Sequence, residues 1–117
     1  MSGRWLIALC LCVSGTSFAT ADPHQARSAA AQAGYESALS QFSSQRVPME
    51  EVYTWSMRWY ESERDAGRGP AAAAAHATRM DALAVKVRDL VAKGMAPSLD
   101  KLTIDYVVAE AAVLKSK

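Results

Sequence analysis

Residues 76–91, HATRMDALAVKVRDLV, decide the fold. At about 100° per residue, His76, Met80, Leu83, Ala84, Val87, Leu90 and Val91 fall within an arc of about 120°. Arg79, Asp81, Lys86, Arg88 and Asp89 lie outside that arc, as does Lys93 just beyond it. A stripe of this width marks an amphipathic helix with one face in a core. The run Ala71–Ala75 before it is strong helix former, and Gly94 after it is a natural C-terminal cap. The helix is expected from Pro70 or Ala71 to Lys93.

Similar punctuation recurs on both sides. Asp22-Pro23 can cap and open a first helix running to about Ser44, with Ala31, Tyr35, Ala38, Leu39 and Phe42 on one face. Gly34 sits inside it at a cost of about 1 kcal/mol relative to Ala. Gln45-Arg46-Val47-Pro48 makes a turn, and Pro48 starts a second helix to about Ala66, with Glu50 and Glu51 favoured at its positive end. Gly67-Arg68-Gly69-Pro70 breaks that helix as a loop or a kink. Pro97-Ser98 opens a fourth, with Ser98 as N-cap. The segment Val47–Val52 resembles Pro97–Leu102 as a weak internal repeat of a turn opening a helix. No useful stretch alternates with period two, and the connections are short. The expected fold is all-α: an antiparallel, up-down-up-down four-helix bundle, or two stacked helical hairpins.

The N-terminal stretch MSGRWLIALCLCVSGTSFATA reads as an address. Arg4 is a positive n-region, Trp5–Val13 an apolar h-region, and Ala19-Thr20-Ala21 an A-x-A cleavage pattern. The apolar run is too short for the about 20 residues that a membrane-spanning helix needs. A cleaved signal peptide at 1–21 and a helical domain at 22–117 are expected. Cleavage would remove Cys10 and Cys12, excluding a disulfide framework, and would remove Arg4, taking the formal net charge from +1 to zero. A neutral chain lacks the basic excess that drives nucleic-acid binding, and nothing opposes self-association or a protein partner.

Two features stand out against a simple core. On the second helix, Val52, Trp55 and Trp59 form one stripe, and Tyr53, Met57 and Tyr60 a neighbouring one. Together they span about 200°, which fits either a central helix or an outer face kept for a partner. The tryptophans are assigned to the core. Tyr53, Met57, Arg58 and Tyr60 are the candidate partner-binding residues, because Trp, Tyr, Met and Arg favour interfaces. On the fourth helix, Leu99, Leu102, Tyr106, Val113 and Leu114 are taken as the apolar face, with Glu110 near its middle. A buried Glu110 needs a partner such as an indole, a phenol, Arg58 or Arg79. Glu110 and His76 are therefore expected as buried polar groups with structural roles. Neither His24 nor His76 has a metal-ligand neighbour one turn away, and no nucleophile or phosphate-loop motif is present. No catalytic, cofactor or metal residue is assigned, and the chain is read as non-enzymatic.

The segment GMAPSLDKLTIDYVVAEAAVL (94–114) resembles the helix-entry motif of TolC-type outer-membrane efflux proteins. Gly94, Ser98, Leu99, Asp100, Leu102, Ala109 and Glu110 supply the matching residue types. The run WSMRWYESERDA, followed by HATRMDAL and VRDLVAKG, looks like small exported helical proteins of planctomycete-like bacteria. These resemblances imply a helical protein of the periplasm or cell envelope and no activity. The expected function is an exported interaction or structural module. The alternative is a periplasmic stress or chaperone-like hairpin protein.

Overall fold

A computed structural model describes residues 22–117. The leader assigned to residues 1–21 lies outside the described residues. Four helices follow one another: α1 (Pro23–Ser43), α2 (Met49–Asp65), α3 (Gly69–Ala92) and α4 (Ser98–Ser116). No strand occurs among the described residues, so the all-α four-helix bundle read from periodicity is the fold.

One turn device is used three times. Gln45, Gly67 and Gly94 take left-handed conformations, with φ of 60°, 93° and 72°. In each turn, that residue and the next donate their N–H groups back to the helix just ended. The bonds are Gln45 to Phe42 O and Arg46 to Gln41 O, Gly67 to Arg64 O and Arg68 to Glu63 O, and Gly94 to Val91 O and Met95 to Leu90 O. This Schellman geometry satisfies carbonyls that a helix end leaves free. A proline stands three residues after each left-handed residue, at Pro48, Pro70 and Pro97. The 67–70 junction is thus a reversal of the chain and not a kink. At α1, the Asp22 carboxylate accepts the His24 N–H at 3.2 Å, with Pro23 opening the helix. The start of α4 differs from expectation. Pro97 occupies the N-cap with extended backbone, so Ser98 is the first helical residue and caps nothing.

Cross-helix pairs run antiparallel throughout: Ser28 with Ser62, Ser56 with His76, and Arg88 with Asp105. Only consecutive helices pack along their lengths, and α1 does not close onto α4. The bundle is therefore open. Two hairpins, α1–α2 and α3–α4, are joined where α2 lies on α3. Met49, Val52, Met80, Leu83, Val87 and Ile104 are fully or almost fully buried in one core that draws on all four helices.

The α1 face toward α2 combines small residues with two aromatics, Tyr35 against the Trp59 ring at 5.7 Å and Phe42 in the core. Ser28, Ala31 and Ala38 are buried, and Gly34 packs directly on the Trp55 indole. Ser62 donates its hydroxyl to the Trp59 carbonyl at 2.8 Å, which leaves Ser28 as donor in the buried Ser28–Ser62 bond at 3.0 Å. The exposed ion pairs Arg27–Asp65 and Arg88–Asp105 add little beside this packing.

The face assigned to α4 from sequence is corrected. Leu99, Leu102, Tyr106 and Val113 are 66%, 65%, 67% and 56% exposed, while Ile104, Val107 and Ala111 are buried. α4 carries apolar residues on two sides. Its branched and small side fits against Leu83, Ala84 and Val87, and the bulkier row points outward.

Two substitutions test this packing. A Cβ at Gly34 would overlap the Trp55 ring. Gly34→Ala is therefore expected to destabilise by about 1–3 kcal/mol, despite the helix propensity that favours Ala by about 1 kcal/mol. Thermal unfolding checks the sign, and a raised Tm would refute the close approach. Gln45→Gly removes the left-handed penalty of a side-chain-bearing residue and should stabilise by about 0.5–1 kcal/mol, raising Tm by about 2–8 °C.

Candidate functional site

The α2–α3 seam holds a desolvated polar cluster. Ser56 and His76 have no exposed surface, and Ser56 Oγ lies 2.8 Å from His76 Nδ1. Arg79, one turn along α3 from His76, donates Nε–H to Ser56 Oγ at 2.7 Å and Nη2–H to the Ser56 carbonyl at 3.1 Å. Because the guanidinium can only donate, the Ser56 hydroxyl proton is free to go to Nδ1. With that proton pointing at Nδ1, the neutral ring carries its own on Nε2, an atom with no hydrogen-bond partner. The ring sits beside Tyr53 and Tyr60, with centroids 6.2 and 5.9 Å away. Burial, helped by the nearby Arg79 charge, pushes the His76 pKa down to about 4. Arg79 itself lies over the faces of Trp59 and Tyr35, at 4.2 and 5.5 Å. A Ser–His contact of this length is also the geometry of a nucleophile and its base. Here both groups are sealed and the same oxygen takes an arginine bond, so the cluster organises a helix seam.

The residues singled out from sequence are placed as follows. Glu110 is half-buried, and the Tyr53 hydroxyl donates to its Oε1 at 2.7 Å, tying α2 to α4. Burial, together with that carboxylate, raises the Tyr53 pKa well above its usual value, so the phenol stays protonated. A phenol is thus the partner of Glu110, while Arg79 is engaged with Ser56 and Arg58 lies over the Trp55 ring at 4.4 Å. Met57 is half-buried, packed with Leu114 against a small cluster of Tyr60, Ala72 and Ala73. Tyr60 is 7% exposed and belongs to that cluster, so its place on a partner face is corrected. The two aromatic stripes of α2 do not form a free surface. They are covered by α1 on one side and by α3 on the other, as a central helix requires. Ser56 has no reading from sequence, and Arg79, a candidate partner for Glu110, is bonded to Ser56 instead. Their only signal is polarity at positions where the α2 and α3 patterns meet.

The apolar surface left free is on α4. Leu99, Leu102, Tyr106 and Val113, with exposed Ala109 among them, share one side of the helix. A groove of about 520 Å³ opens between α1 and the end of α2, but its Glu63 and Arg68 are paired at 2.8 and 3.0 Å. That pairing holds Glu63 down to about pKa 2. Among the described residues, no three His, Cys, Asp or Glu side chains are grouped to hold a metal. None of the described helices is long and apolar enough to cross a membrane. No family model, curated protein or solved structure matches this chain.

The His76 environment has a pH signature. Its folded pKa lies below the unfolded value, so the unfolded chain binds the extra proton between about pH 6.5 and 4. The contribution is fully present above that window and is lost as pH falls through it, amounting to about 3 kcal/mol at most. Urea unfolding across that range should show this loss, and His76→Gln should flatten the profile. A wild-type profile flat between those values would contradict the buried neutral imidazole.

Proposed function

We propose that this is an exported, non-enzymatic helical protein of the periplasm or cell envelope that works by protein–protein contact. The observation that carries the reading is the outward row of α4: four large apolar side chains more than half exposed along one helix face. Scattered exposed apolar residues need no explanation, but a row aligned on one helix costs solubility and favours an interface. The likeness to small exported helical proteins and to the TolC-type hairpin motif supports an envelope setting, as does the leader-like stretch 1–21. The polar residues of the core seam, Ser56 and His76, serve to position the helices.

The test has two parts. Mass and N-terminal sequence of the protein recovered from the envelope or medium of its native cells should show a chain beginning at Asp22. A photo-crosslinking residue at Leu102 should trap a discrete product there, whereas one at exposed Gln32 on α1 should not. Retention of residues 1–21 in the cytoplasm would refute export. Equal trapping at both positions, or none at Leu102, would refute the α4 contact.

A further inference from the structure

The α4 row has a property beyond its exposure. Leu99, Leu102, Tyr106, Ala109 and Val113 are spaced alternately by three and four residues, the a and d positions of a coiled-coil heptad. The core residues Ile104, Val107 and Ala111 then fall at f and b, so the seam and the core use separate faces of one helix. A strict a/d row fits another helix with the same repeat, and α4 itself presents one.

We infer that the occupant of this face is α4 of a second copy, packed antiparallel about a two-fold axis near Val107–Val108. This rests on the contact reading above and names its partner. Size and charge both select the direction. In an antiparallel pair each a position faces a d position. Tyr106 then meets the partner's Ala109, a large residue over a small one, and Leu102 meets the partner's Val113. A parallel pair would set Tyr106 on Tyr106 and leave a gap between two alanines. It would also bring Asp105 beside the partner's Glu110 along both edges, where like charges repel. The antiparallel pair places Asp105 opposite the partner's Ala112, and Glu110 opposite the partner's Thr103. No like charges meet. The arrangement is isologous and closes at two copies.

One helix pair is a small interface, below the roughly 800 Å² per partner of a standard complex, so the dimer should be weak and concentration-dependent. Sedimentation of the exported, processed protein over a hundredfold concentration range is expected to show a mass rising from monomer toward twice that value. Tyr106→Glu should abolish the rise and leave the helical circular dichroism unchanged, because Tyr106 is exposed in the single chain. Val113→Lys should do the same and guards against a local effect of the first variant. Direction is read by disulfide trapping, since residues 22–117 contain no cysteine. A mixture of Leu102→Cys and Val113→Cys chains should cross-link at least tenfold faster than Leu102→Cys alone. Equal or faster trapping of Leu102→Cys alone overturns the antiparallel pairing. A chain that stays monomeric overturns the second copy as occupant. If Leu102 still traps a different protein in cells, the contact reading survives that result; if it traps nothing, both fall together.

Discussion

Two helical hairpins are held in one register by a single desolvated polar contact, the Ser56 hydroxyl set between His76 and Arg79. Apolar packing alone allows neighbouring helices to slide or rotate at modest cost, because any branched side chain fills a similar hole. A buried hydroxyl and imidazole cannot slide, since each left unpaired would cost about 1–3 kcal/mol. With no cysteine among residues 22–117, no cross-link is available to do the same work. The acceptor role of His76 Nδ1 carries a condition, because it exists only while the imidazole is neutral.

From that register the remaining geometry follows. α2 is fixed between α1 and α3, and its wide aromatic band is used up in holding both neighbours. Trp55 lies on Gly34, Trp59 lies under Arg79, and Tyr60 closes a small cluster with Ala72 and Ala73. Tyr53 reaches past α3 to Glu110 and sets the rotation of α4. That rotation buries Ile104, Val107 and Ala111 and turns Leu99, Leu102 and Tyr106 to solvent. The surface available for contact is therefore a consequence of how the centre is tied, one helix removed from the aromatic band that looks most like an interface.

Much of this was legible in the residues. The α3 stripe from His76 to Val91 is unambiguous because one arc carries most of its large apolar residues: His76, Met80, Leu83, Ala84 and Val87 are buried, and Leu90 and Val91 are half-buried against the same core. The turns were legible because glycine and proline restrict backbone angles before any tertiary contact forms. The α4 helix is legible too, at Ser98–Ser116, but its buried face is not, and the reason is physical. Ile104, Val107, Val108, Ala111 and Leu114 make an arc as regular as Leu99, Leu102, Tyr106 and Val113, and periodicity cannot rank two such arcs. Hydrophobic size favoured the wrong one. In the sequence Gly34 is only a local cost to α1; in the fold its missing side chain is what admits Trp55. Ser56 was invisible because a serine in an amphipathic helix is ordinarily solvated, and only its partners on α3 reveal it.

With the Ser56 hydroxyl donated to Nδ1, His76 is neutral and protonated on Nε2. Nitrogen-15 NMR of the imidazole through a pH titration measures all of this directly. The expected spectrum is that of an Nε2–H tautomer whose signals stay unchanged from neutral pH until they move near about pH 4, together with the first loss of structure. An Nδ1–H tautomer, or a reversible titration near the ordinary histidine value of about 6.5 in a chain that remains folded, would contradict it.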